Sequence, residues 1–506
     1  MTARPTSASA RPDERSGPVG PQLRLLLAFA WTSVLNYGFG LAASRLLDPG
    51  DFGLLAFAQS MLLLAGFVLQ SGVPWTLTRD VVAADPERRA SIVRGALVAN
   101  LGIAAILAVV LVVLYAAGPL QTGLESLPAL AAVIAALPLI SVAAVWRATS
   151  QGLGAYGRVG LIQGVEVTGK TLVGLALAAG FGAVGAIAGF TAGGLFAALV
   201  GLVVVLRLLP RRPAGFTWPR LAVVGPMFGA LLALALLLNL DLVAMKLLSA
   251  DREATGHYQA AIILANAPYF LVSAAFVPVL FTRLASATDL AATRSRVAEA
   301  LRFAFALILP MELVLIAIPD VVLAWLFPPA YAVAAPIVRL MAVGNSFLML
   351  VAVIGAAHQG VGHSAVVGRI LLVIAGAEAV ALLWLVPRYG ALGAVVAFDA
   401  AALVAAVALS VRYVRHAGVL RSETLRWTGR WAVALLAGGA VASVAFAAGG
   451  VPVALVASAA VYYGLVLALR LVPEMDPSGL ATRLRSFGHR TARPVTAGPR
   501  PAHEEP

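Results

Sequence analysis

The sequence predicts an all-α, polytopic membrane protein of 14 transmembrane helices, built as two six-helix lobes with two further helices at the C-terminal end. Three observations carry this. Hydrophobic residues make up 61% of the 506-residue chain and charged residues 12%, with a mean hydropathy of +0.94. A soluble chain of this length would expose far too much apolar surface. Nearly uncharged runs of about 20 residues, the length a bilayer core requires, recur from Leu23 to Leu471. The net charge of +13 comes from arginines lying between those runs, a topological pattern rather than the basic face of a nucleic-acid-binding protein.

In order, the first-half spans fall near 23–44, 53–77, 95–117, 127–146, 159–180 and 183–206. The second half continues at 221–248, 256–281, 301–326, 333–357, 364–386 and 391–411, followed by 427–448 and 451–471. The first span follows arginines, as a signal peptide would, but its apolar run is longer than a typical h-region. With the N-terminus inside, the outer side holds only Arg45, Lys246, Arg252 and Arg388, and the inner tails and loops hold most of the remaining cations. This is the bias of the positive-inside rule, and it places both termini in the cytoplasm. Residues 1–20 and 473–506, rich in Pro, Arg, Ser and Thr, read as cytoplasmic tails. Between them the expected units are 21–208, 209–412 and 413–472. Pro74, Pro268, Pro278 and Pro310 mark bends in the second, eighth and ninth spans.

The two lobes are visible as a duplication. Arg45-Leu46-Leu47 returns as Lys246-Leu247-Leu248, 201 residues on, and VPWTLTR from Val73 returns as VPVLFTR from Val277 at 204. QGLG at Gln151 returns as QGVG at Gln359, and GAVGAIAGFTA from Gly182 as GALGAVVAFDA from Gly390, both at 208. Four matches in one order point to an internal repeat. An offset of six helices gives both halves the same orientation, hence parallel repeats about an axis along the membrane normal, with a cavity between them near the midplane.

Several stretches resemble a known family. They are SRLLDPGDFGLLAFAQS from Ser44, QGLGAYGRVGLIQGVE from Gln151, NLDLVAMKLLSADREATGHYQAAIILANAPYFLVSAAFVPVLF from Asn239 and LFPPAYAVAAPIVRLMAVGNSF from Leu326. They are similar to the polysaccharide transporters, the Wzx-type flippases of the multidrug/oligosaccharidyl-lipid/polysaccharide exporter superfamily. The resemblance implies export of an undecaprenyl-diphosphate-linked oligosaccharide or polysaccharide repeat unit across the cytoplasmic membrane by alternating access, coupled to H⁺ or Na⁺. It implies lipid-linked substrate, membrane lipid and glycan-assembly proteins as partners, with no nucleic acid. Drug/cation antiporters and lipid II flippases share the fold and are the alternatives. Two helices beyond twelve argue against the first, and no clear acidic signature after span 1 supports the second.

Charges inside spans are expensive and rarely face lipid, so they nominate the site. Glu166 and Lys170 lie one turn apart in span 5, either as a self-neutralising pair or as a cavity lining in which Lys170 meets phosphate. By the 208-residue offset Lys170 corresponds to Glu378, and opposite charges there are expected to meet across the closing cavity. Asn239 and Asp241 lie near the middle of span 7. By resemblance these are the family's Asn-x-Asp position, where an acid takes a proton or Na⁺ or serves packing. Arg339 in span 10 is a second phosphate candidate. Arg45 and Lys246, near the surface, are weaker ones. Asn36, Gln59, Gln70, Gln163 and Asn266 suit sugar hydroxyls or helix contacts equally.

A membrane-bound glycan polymerase, acyltransferase or glycosyltransferase is the contrasting reading. It needs acids, bases or metal ligands gathered on ordered loops. The outer loops are short, and among six histidines only His358 and His363 are near each other, beside a turn where solvation is expected. With no cysteine and no nucleotide fingerprint, no cofactor is expected.

Overall fold

The computed structural model describes residues 19–207, 216–218, 225–285, 290–417 and 421–472. The tails, and residues 221–224 of the seventh expected span, lie outside these. The first half comprises α1 (Val19–Leu46), α2 (Pro49–Ser71), α3 (Val73–Ala83), α4 (Pro86–Ala116), α5 (Gln121–Leu124), α6 (Leu127–Gly152) and α7 (Tyr156–Leu206). The second comprises α8 (Gly225–Leu237), α9 (Leu240–Leu248), α10 (Ala254–Ala285), α11 (Leu290–Ala317), α12 (Pro319–Leu326), α13 (Ala335–Gly360) and α14 (Ser364–Ala417), and α15 (Arg421–Ala468) follows. Among the described residues there are helices and turns and no strand, the arrangement that satisfies backbone groups within each segment when no water is available.

Local chemistry sets the helix starts. Asp48 caps α2 by accepting from the Asp51 amide at 2.8 Å, with Pro49 in the first turn where a missing N–H costs nothing. Ser126 does the same for α6 through the Ala129 amide. Along the sides the helices present Val109, Leu172, Val373 and Leu436 outward. An apolar exterior of this kind belongs in lipid, and the chain is a multi-pass membrane protein. Eight helices among the described residues are long and apolar enough to cross a membrane, or nine if Phe228–Leu237 and Leu240–Leu248, bent by 46°, form one span.

Three of the expected span boundaries fall at glycines inside long helices. Gly182 in α7 has φ 57° and ψ −142°, Gly390 in α14 has φ 54° and ψ −132°, and Gly450 in α15 has φ 71°. In α7 Gly185 lies against the Leu177 backbone and Gly189 against Gly174, and in α14 Gly393 lies against Leu385, so each helix folds back on itself. The breaks at Gly182 and Gly390 are 208 residues apart, the offset of the sequence repeat.

Packing repeats in the same way. α7 packs on α1 and α6, and α6 on α4; in the second lobe α14 packs on α8 and α13, and α13 on α11. The lobes meet chiefly where α2 lies against α10, α8 and α9; outside the repeat, α15 packs on α11 of the second lobe. One contiguous apolar core runs through both lobes.

The equivalent glycines differ in one respect that a substitution reads. A Cβ on Gly182 would meet Asp51 Oδ2 at 2.7 Å, whereas one on Gly390 meets open space. Gly390→Ala therefore costs only the strain of a positive-φ backbone that glycine alone adopts readily, about 1–3 kcal/mol. Gly182→Ala is expected to cost more and to lower the unfolding midpoint in detergent further. An equal or larger loss for Gly390→Ala would contradict this account.

Candidate functional site

A cavity of about 610 Å³ opens between the lobes. Ser33, Asn36 and Tyr37 reach it from α1, Gln59, Ser60, Phe67 and Gln70 from α2, and Glu166, Lys170 and Phe190 from α7. The second lobe contributes Asn239 from the break between α8 and α9, with Gln259, Asn266, Phe270 and Ser273 from α10. Amides and hydroxyls thus share the wall with three phenylalanines. Lys170 is 7% exposed. Its Nζ donates to Asn36 Oδ1 and lies 4.8 Å and 5.0 Å from the ring centres of Phe39 and Phe190. Those rings meet edge to face at 6.0 Å, an arrangement that stabilises an ammonium without neutralising it.

Of the residues nominated from sequence, Asn36, Gln59, Gln70, Glu166, Lys170, Asn239 and Asn266 line this cavity. Three expectations change. Glu166 does not pair with Lys170. It takes Nη1 of Arg147 from α6, whose Nη2 donates to Gln70 Oε1 at 3.2 Å. Arg339 does not line the cavity. It sits in the opening turns of α13, where Nε donates to the Ile316 carbonyl at 2.8 Å and Nη2 lies 3.7 Å from Asp320, so it closes the end of α11. Glu378 does not face Lys170 across the cavity. A shared offset gives each the same place within its own lobe: Lys170 against α1, and Glu378 beside Asp241 of α9.

Asp241 is 3% exposed; it accepts from Tyr258 Oη at 2.7 Å and from the Leu242 amide at 2.8 Å. Glu378 and Asp399, both from α14, feel its charge. Neither Glu378 oxygen has a hydrogen-bond partner, nor does Asp399 Oδ1. Sequence reasoning passed over Asp399, although the repeat marks it: the block from Gly390 has an acid where the block from Gly182 has Thr191. Asn239 sits at the helix break and donates from Nδ2 to the Ala235 carbonyl at 2.8 Å. No group of three or more His, Cys, Asp or Glu side chains among the described residues has the geometry to hold a metal ion. His358, expected in solvent, is 1% exposed, with Nε2 3.4 Å from the Leu409 carbonyl oxygen and its ring beside those of His363 and Tyr413.

Beyond the cavity, at the end holding the α2 and α10 N-termini, a charge network ties the lobes together. Arg252 donates from Nη2 to Asp51 Oδ1 at 2.9 Å and from Nε to Glu125 Oε2 at 3.1 Å, while Lys246 Nζ donates to Glu125 Oε1. Asp51 Oδ2 also accepts from the Ala183 amide at 3.3 Å, just after the Gly182 break. Glu125 holds a left-handed φ of 58°, a strain of about 1–2 kcal/mol that its two cations offset. Arg252 is half exposed, so its pairs alone are weak, but Lys246 is almost fully buried and the four charges act as a network.

The comparisons with known proteins agree with this geometry. A family model described as polysaccharide biosynthesis protein matches residues 24–287, just over half of the chain. No curated protein matches significantly. Among solved structures, the lipid II flippase MurJ in an inward closed conformation superposes with a TM-score of 0.71 at 11% identity, over 88% of this chain and 98% of that one. A multidrug-resistance MATE family transporter of the MOP superfamily, inward-facing, gives 0.60 at 15% identity, over 79% and 99%. Outward-facing, such a transporter gives 0.53 at 14%, over 80% and 96%. These likenesses show the fold.

If the network seals that end of the cavity, Arg252→Ala should expose it. In this cysteine-free chain, a single cysteine at Gln259 should react severalfold faster with an impermeant thiol reagent added on the Arg252 side once Arg252 is removed. Equal labelling with and without Arg252 would remove the network from the closure.

Proposed function

Since the chain belongs to the polysaccharide biosynthesis protein family, we propose that it is a flippase carrying an undecaprenyl-diphosphate-linked oligosaccharide or polysaccharide repeat unit across the cytoplasmic membrane. In this reading the chain crosses 14 times with both termini in the cytoplasm, and the cavity loads from that side while the Arg252 network closes the far end. The lobes then rock about the α2–α10 seam. Alternating access of this kind needs a substrate that binds one conformation better than the other.

The observation that carries the reading is Lys170. A diphosphate head group brings negative charge into a low-dielectric interior, where an unpaired anion is costly. Lys170 offers it an ammonium held only by a neutral amide and two aromatic rings, and Asn36, Gln59, Gln259 and Asn266 around it suit sugar hydroxyls. The same ammonium disfavours the drug/cation antiporter alternative, because a cationic drug would enter against it. Lipid II remains within the chemistry, being another polyprenyl-diphosphate glycan.

Asp241 is the proposed ion-coupling residue. Three carboxyl groups gathered in a dry lobe carry a repulsion that a proton or Na⁺ would relieve, and Asp241 stands two residues from Asn239 at the cavity wall. Coupling would follow if the ion and the lobe position bias each other.

Both roles are testable in reconstituted vesicles, where the glycan reaching the far leaflet is captured by an added lectin. Removing a charged hydrogen-bond donor costs about 1.5–3 kcal/mol, so Lys170→Ala should slow flipping roughly 10- to 100-fold, with Lys170→Arg retaining part of the activity. A wild-type rate for Lys170→Ala would sink the phosphate role. Asp241→Asn should lower transport and blunt its response to an imposed pH or Na⁺ gradient. If a well-inserted Asp241→Asn protein responds as the wild type does, Asp241 has no part in coupling.

A further inference from the structure

Glu166 and Lys170 occupy positions i and i+4 of α7 with the acid toward the N-terminus, the order in which such pairs form most readily on a helix. Their charges are within reach of each other, yet they are not joined. Nη1 of Arg147 occupies Glu166 Oε2, and Lys170 turns instead to Asn36. Arg147 stands in the last turns of α6, and its second terminal nitrogen is held by Gln70 of α2. One guanidinium thus ties together three helices and two cavity-lining side chains, which suits its rigid planar fork and would not suit a lysine. The Arg147 and Glu166 side chains are 12% and 21% exposed, so bulk water screens the pair only in part.

From this geometry we infer that Arg147 is a positioning residue that sequesters Glu166 and so keeps Lys170 available to the substrate's phosphate. The inference rests on the reading of Lys170 as the phosphate contact. The three side chains carry a net charge of one, and Arg147 determines where it lies. With Arg147 present, Glu166 is neutralised on the α6 side and the uncompensated charge stays on Lys170. Without it, the Glu166 carboxylate is left nearly buried beside a flexible ammonium one turn away, and the two close into the helical pair that sequence spacing suggests. Incoming phosphate must then displace a carboxylate before it can bind. The resulting defect is one of affinity, and removing the carboxylate cures it.

The test measures initial flipping rates against substrate concentration in vesicles carrying matched amounts of inserted protein. Arg147→Ala should raise the apparent KM roughly tenfold, equivalent to about 1.4 kcal/mol, with a smaller change in maximal rate. Arg147→Gln, which keeps a hydrogen-bonding side chain but removes the charge, should do the same and stands in if the alanine variant inserts poorly. Adding Glu166→Gln to either should return KM to within about threefold of the wild type, because the competitor for Lys170 is gone. If the double variant is as impaired as the single one, Arg147 acts on the substrate or on folding and the inference is wrong. A wild-type KM for both Arg147 variants overturns it equally. Lys170→Ala in the same assay separates the two claims: a wild-type KM there defeats the phosphate reading itself, whereas a raised KM with no rescue by Glu166→Gln defeats only the role given to Arg147.

Discussion

A charge withdrawn from water must find a partner, and in this protein the search for partners organises both lobes and the seam between them. Glu166 has Arg147, Lys246 has Glu125, and Arg252 bridges Asp51 and Glu125. Where the rule is relaxed, the exceptions are few and placed. Lys170 is satisfied by an amide and two ring faces, and neither Glu378 nor the buried Glu312 of α11 has a hydrogen-bond partner for its carboxylate oxygens. Groups left short of a full counter-charge in a dry interior are the ones able to respond to a charged visitor, which is why they attract a functional reading.

The same rule explains the mechanical layout. Helices inside a lobe are locked by long apolar contacts, with α7 folded back on itself and nested against α1 and α6. Between the lobes the cavity wall mixes amides and hydroxyls with aromatic rings, and the tie at one end is electrostatic. Apolar packing resists sliding, whereas ion pairs at a half-exposed seam re-form with water at little cost. The molecule is therefore stiff where the repeat units are built and yielding where they meet. Asp51 joins the two regimes by capping the helix after Gly182 with one oxygen and holding Arg252 with the other.

Much of this was legible in the residues. Composition and apolar run length led to an all-helical membrane chain, and the boundaries expected between spans 5 and 6 and between spans 11 and 12 fall at Gly182 and Gly390. Seven of the nominated residues line the cavity because charge or amide in an apolar span is a strong signal. What escaped was relational. Arg147 stands one residue past the expected end of span 4, while α6 continues to Gly152, so a cation inside the fold read as a loop residue. Arg339 erred in the opposite direction: it lies several residues into an apolar run, yet α13 begins only at Ala335 and its side chain reaches back to α11. Pairing Lys170 with Glu378 confused equivalence with proximity, since a repeat predicts matching environments rather than contacts.

That equivalence has a historical consequence. The two halves descend from one unit, and at the same place in each stands a buried ammonium in one and a buried carboxylate in the other, with Thr191 answered by Asp399 close by. An ancestor assembled from two identical copies could not have carried this division, because any charge written into one half would have appeared in both. Only after fusion into a single reading frame could one half keep the ammonium and the other the carboxylate. The asymmetry between the lobes therefore dates the specialisation of the halves to after the duplication that made them.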